Sequence, residues 1–92
     1  REAYHGDEVI SLTPTELKLL AALARRHGDA VEENTLIKEV WGGFRQEETA
    51  AVRRYIWMLR QKMEEDPANP QYILTVRGFG YRLKMDDNLL EP

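Results

Sequence analysis

The sequence predicts an α+β domain, three helices bracketed by two β-hairpins. Three stretches carry that expectation. Thr13-Pro14-Thr15-Glu16 is a helix start followed by a leucine-rich run. Val52, Ile56, Leu59 and Met63 recur at the spacing of an amphipathic helix. Tyr72 to Lys84 alternates in period two around Gly78-Phe79-Gly80.

Length and composition bound the reading. The 92 residues suit one domain with one core, and 42% hydrophobic residues favour a globule over disorder. No cysteine occurs, which excludes disulfides and thiolate metal sites. His5 and His27 are the only histidines and have no clustered partners, so neither metal nor cofactor is expected. No apolar run approaches the roughly 20 residues that span a bilayer, and no signal peptide is visible. A cytoplasmic setting with no membrane partner is therefore expected. The chain opens on Arg1 rather than methionine, which predicts a piece of a longer protein.

Taken in order, Arg1 to Thr13 reads as a hairpin. Ala3-Tyr4 and Val9 to Leu12 are its strands, with His5-Gly6-Asp7 at the turn. Thr13 to His27 reads as the first helix, with Thr13 as cap. Leu17, Leu20, Leu23 and Ala24 form its apolar face, widened by Leu19 and Ala21. Arg25-Arg26 complements the negative helix end, and Gly28 is the stop. Ala30-Val31 is a candidate short strand. Glu33 to Trp41 is the second helix, with Leu36, Ile37 and Val40 inward and Trp41 in the core; Glu32 is a poor cap. Gly42 to Glu48 reads as a loop, in which Phe44 is either tucked inward or offered to a partner. The third helix is expected over about residues 48–64, ended by acids and by Pro67 and Pro70. Tyr72 to Val76 and Tyr81 to Lys84 then form the last hairpin. Residues 1–85 make the domain and residues 86–92 a flexible tail.

The charge is unevenly placed. The whole chain carries −3, yet residues 49–63 carry four cations and no acid, and residues 71–85 carry three more. Everything else sums to −10. Such a surface steers toward phosphate. At about 100° per residue, Arg54 falls about 160° from the apolar stripe of the third helix. Ala51, Met58 and Gln61 share that outward side. A basic outward face on a clamped helix suits the major groove of DNA. Helix, helix, exposed helix and basic hairpin is the order of a winged helix-turn-helix.

Four blocks resemble one family in particular. They are Leu12-Thr13-Pro14-Thr15-Glu16 with Leu19-Leu20, Val40-Trp41-Gly42, Leu59-Arg60-Gln61-Lys62-Met63-Glu64, and Thr75-Val76-Arg77-Gly78-Phe79-Gly80-Tyr81-Arg82. In that order they resemble the C-terminal effector domain of OmpR/PhoB-type two-component response regulators, over about residues 1 to 85. The resemblance implies sequence-specific binding to double-stranded DNA and control of transcription. It implies an N-terminal four-stranded sheet, of which only the last two strands fall within this chain. It also implies a preceding receiver domain with a phosphorylatable aspartate, and tandem binding as a dimer to direct repeats. RNA polymerase contact is implied for the loop after the second helix, here Gly43, Phe44 and Arg45. The family usually reads valine-aspartate-valine-histidine-isoleucine on the third helix. This chain reads Val52-Arg53-Arg54-Tyr55-Ile56, so the core positions match and the recognised DNA sequence does not carry over.

Roles follow by residue. Arg54 is the leading base reader, because arginine pairs bidentately with guanine. Ala51, Arg53 and Met58 are the other base-reading candidates, Arg53 also lying toward the phosphate flank. Tyr55, Trp57, Arg60, Lys62, Thr75 and Arg82 are candidate backbone contacts. Two of these have a second reading: Arg60 as an internal ion pair and Trp57 as packing against the hairpin. Arg77 and Gly78 are the wing candidates for the minor groove. Two other functions compete. A protein-binding module would use Phe44, Trp57 and Met58. An enzyme lacks support, because no histidine–acid–nucleophile set or phosphate loop is present.

Overall fold

The order of elements follows the chain. Strands β1 (Glu2–His5) and β2 (Glu8–Ser11) lead to helix α1 (Pro14–Ala24). A short strand β3 (Val31–Glu32) runs directly into helix α2 (Glu33–Trp41). Helix α3 (Gln46–Met63) is followed by strands β4 (Ile73–Val76) and β5 (Gly80–Leu83). This computed structural model describes residues 2–5, 8–43 and 46–84, with side chains for 10–43 and 49–84. Gly6, Asp7, Phe44, Arg45 and the predicted tail 86–92 lie outside the described residues.

β1 and β2 pair antiparallel, as expected, but as a sheet of their own. The second sheet is antiparallel in the order β3-β5-β4. Its short edge strand is the candidate of the sequence, set one residue later, at Val31-Glu32.

α1 begins as its capping box dictates. The Glu16 amide donates to Thr13 Oγ1 at 3.2 Å, and the Thr13 amide donates to Glu16 Oε1 at 2.8 Å. The helix stops at Ala24, short of the predicted His27. The left-handed pair His27 (φ 50°) and Gly28 (φ 95°) then reverses the chain. Arg25 and Arg26 are corrected here: rather than complementing a helix end, both bond the Glu39 carboxylate on α2. The Arg26 hydrogen bond in particular holds the Glu39 carboxyl below its usual range.

α2 has no side-chain cap at Glu32. A backbone acceptor replaces it, because the Glu33 amide donates to the Phe79 carbonyl at 3.3 Å. Gly42 (φ 82°) closes the helix in the left-handed conformation. Trp41 is half-buried and packs against the core, its ring tilted against Tyr55 with centroids 5.6 Å apart.

α3 starts at Gln46, inside the predicted loop. Gln46-Glu47-Glu48 are good helix formers, and acids suit the positive end, so the helix extends backward. Val52, Ile56 and Leu59 are buried to within 1% exposure, against Leu19, Leu23, Leu36 and Ile37. Each contributes about 1.5–3 kcal/mol before entropy. The helix ends at Met63, one residue before the expected end. Glu64, 7% exposed, turns back to accept the amides of Gln71, Tyr72 and Ile73 at 2.7 to 3.2 Å. The approach of the last hairpin is thereby fixed to the helix end. Gly78 (φ 75°) forms its turn, with the Phe79 amide on the Val76 carbonyl. At Gly80 a Cβ would lie 1.9 Å from the Val31 carbonyl oxygen, so only glycine lets β3 approach β5 this closely.

Candidate nucleic-acid interface

The outer side of α3 is built by the burial of its inner side. With Val52, Ile56 and Leu59 clamped, Arg54 is carried outward and is exposed. Among the described residues it makes no ion pair or hydrogen bond; its guanidinium lies over the Tyr55 ring, 5.6 Å from the centroid. Ala51 and Met58 flank it, both half-buried, and Gln61 is exposed on the same side. Trp57 is 50% exposed and projects from the helix rather than packing into the core. Tyr55 is half-buried between Trp41 and Arg54.

The other three cations of α3 have partners within the domain. Arg53 is 68% exposed, and its Nε donates to Glu33 Oε2 at 3.3 Å. The Arg60 Nε donates to the Ile73 carbonyl at 3.0 Å, and its terminal nitrogen to Thr75 Oγ1 at 2.9 Å. Its guanidinium also sits 6.0 Å from the Tyr81 ring centroid. This is the internal reading of Arg60, with a carbonyl and a hydroxyl in place of the expected acid. Lys62 Nζ bonds Glu16 Oε1 at 2.6 Å and the Ser11 carbonyl at 3.1 Å. Glu16 is fully buried, and its Oε2 has no hydrogen-bond partner among the described residues. Burial alone would raise the Glu16 carboxyl. Lys62 and the Thr13 amide outweigh that and hold it below the usual carboxylate range.

The wing, β4-turn-β5, stands beside α3. Arg77 and Phe79 are exposed at its turn, Phe79 by 47%. Thr75 is exposed while accepting from Arg60, and Arg82 is half-buried opposite Leu74. Between α3 and the wing lies an open cleft of about 440 Å³. Glu33, Arg53, Arg77, Phe79 and Tyr81 line it. Burial pushes the Tyr81 phenol up, and the Glu33 charge adds to it. The structure therefore brings Arg53 and Arg77 to one cleft, leaves Arg54 and Trp57 exposed on α3, and ties Arg60 and Lys62 to neighbouring elements of the domain. Gly43 is half-buried after α2, whereas Phe44 and Arg45 lie outside the described residues.

Glu33 was not among the sequence candidates. Its only signal is acidity in a first helical turn, which the helix dipole explains without a site. Among the described residues, no helix is long and apolar enough to cross a membrane, and no group of acids and histidines could hold a metal ion.

Comparison with known proteins places this geometry. Residues 6–83 match the family described as "Transcriptional regulatory protein, C terminal". The chain is 39% identical over 85 residues to the KDP operon transcriptional regulatory protein KdpE of Escherichia coli, covering 92% of this chain and 38% of that protein. It is 47% identical over 75 residues to the DNA-binding response regulator MtrA of Mycolicibacterium smegmatis, covering 82% and 33%. It thus spans 38% and 33% of the length of these two relatives. The crystal structure of the Klebsiella pneumoniae RstA DNA-binding domain in complex with the RstA box superimposes with a TM-score of 0.81 at 28% identity. That match covers 90% of this chain and 82% of the other.

Proposed function

The chain belongs to the family of transcriptional regulatory protein C-terminal domains, as a winged-helix domain of the OmpR/PhoB response-regulator type, and from that membership we propose how it engages DNA. α3 enters the major groove and the wing turn lies along the adjacent minor groove and backbone. One observation carries this reading. Arg54 stands exposed on the side of α3 opposite the buried stripe, with no ion pair among the described residues.

Arg54 reads a guanine edge, with Ala51 and Met58 beside it and Arg53 at the flank. Arg77 enters the minor groove, where Gly78 permits close approach. Trp57, Tyr55 and Arg82 lie along the backbone. Arg60, Lys62 and Thr75 act one step back, shaping the surface from within. In the longer protein, a receiver domain precedes this one and two copies sit in tandem on direct repeats, in the cytoplasm. The loop through Gly43, Phe44 and Arg45 meets RNA polymerase. These last assignments rest on the family resemblance.

The test is selection of bound duplexes from a random pool, followed by a salt titration on the selected site. With about five phosphates neutralised, log K should fall against log salt with a slope near −4 to −5. A slope near zero would remove this surface from consideration and favour a protein partner for Trp57 and Phe79. Arg54→Ala should cost about 1–3 kcal/mol, concentrated at one base pair.

A further inference from the structure

The cleft between α3 and the wing holds an acid where the proposed ligand is an anion. Glu33 is the first residue of α2, and its side chain is 20% exposed. Its amide is tied to the Phe79 carbonyl of the wing turn, so its position is set by backbone on both sides. Its carboxylate meets Arg53, which is 68% exposed. The acid is fixed, and the long arginine is the partner able to swing away. Such an exposed pair is held only weakly.

If α3 and the wing occupy adjacent grooves, the DNA strand between those grooves crosses this cleft. Its phosphates then meet Arg53 and Glu33 together. While Arg53 stays on Glu33 the pair is neutral, and a loosely docked phosphate gains nothing from it. Once Arg53 turns to the DNA, Glu33 is left as an unpaired negative charge facing the backbone. Both effects penalise shallow, sequence-independent docking. A duplex that seats α3 deeply offers Arg53 a base edge or a well-placed phosphate, which outcompetes one carboxylate.

We infer that Glu33 is a specificity-determining residue, a positioning residue that holds Arg53 away from DNA of the wrong sequence. The inference rests on the DNA-binding reading above. It is tested by measuring affinity for the selected duplex and for a random-sequence duplex across a salt series. Glu33→Gln should raise affinity for random duplex by about three- to tenfold and for the selected duplex by about twofold or less. The salt slope on random duplex should steepen by about one, because a freed arginine releases one more counterion. In an Arg53→Ala background, Glu33→Gln should leave that slope unchanged. Glu33→Ala, a good helix former at the first helical position, serves as the second variant should the first unfold at a lower temperature.

Equal gains on both duplexes, an unaltered slope, or a slope change that survives Arg53→Ala would overturn the inference. A parent chain that discriminates between duplexes while Glu33→Gln discriminates equally well sinks this inference alone. A parent that binds neither duplex removes the DNA-binding reading and this one with it.

Discussion

The two halves of α3 carry equal charge and put it to opposite uses. Arg53 and Arg54 lie in the first half, Arg60 and Lys62 in the second. The first pair is exposed; Arg54 has no ion pair among the described residues, and Arg53 is held by a single exposed pair with Glu33. The second pair is tied to the wing and to the α1 cap. The difference is set by neighbours rather than by charge. The second half runs between β4 and the start of α1, which supply a carbonyl, a hydroxyl and a carboxylate. A basic stripe on a helix is therefore two populations, one that can meet a ligand and one that aims the helix.

The sharpest way to break this contrast is to remove a cation from each half and compare what is lost. Lys62→Met leaves Glu16 buried without its counter-charge and should destabilise the fold by about 2–3 kcal/mol, read by urea denaturation. Its DNA affinity under native conditions should stay within about twofold of the parent. Arg54→Ala should do the reverse: unfolding free energy within about 0.5 kcal/mol of the parent, with the binding loss already described. A large stability loss at Arg54, or a large affinity loss at Lys62, would abolish the contrast. Arg60→Ala removes two hydrogen bonds to β4 and should cost about 1–2 kcal/mol of stability. Its effect on binding should be spread evenly over all sequences, since it acts by orienting the wing.

The smallest effect sharpens the same point through pH. The Glu16 carboxyl is held low in the folded state. The stability it contributes is fully present above the ordinary carboxylate pKa of about 4.3 and is lost as pH falls through the lowered folded value. Acid titration of the unfolding free energy should show that decline in the parent. The decline should be shallower in Lys62→Met, where the main counter-charge is gone.

What the sequence made legible were features whose cause is local. The capping box at Thr13 and Glu16, the stripe from Val52 to Leu59 and the glycine turn of the wing are each specified by residues a few positions apart. Helical spacing also put Arg54 outward, because a residue opposite the stripe has nowhere else to go. Arg60 and Lys62 lie about 80° from Val52, on the two flanks. From there a long side chain reaches inward or outward, and the choice depends on residues far along the chain. Thr75 is 15 positions from Arg60, and Glu16 is 46 from Lys62. The same holds for Glu33, paired 20 positions away. The late start predicted for α3 has another origin, since glycines at 42 and 43 mark a loop without saying where it ends. Arg25 and Arg26 satisfied a dipole argument, and their partner on α2 carries no local signature.

The carboxylate of Glu64 makes one of the most local tertiary contacts described in the domain. It closes a loop of only nine positions, from the end of α3 to the amide of Ile73. Short loops cost little entropy to close, so this corner is expected to form early in folding. The pairing of Val31 with Tyr81 spans about fifty positions and must wait for the rest of the chain to collect. The contact of Glu33 with Arg53 closes 20 positions and falls between the two.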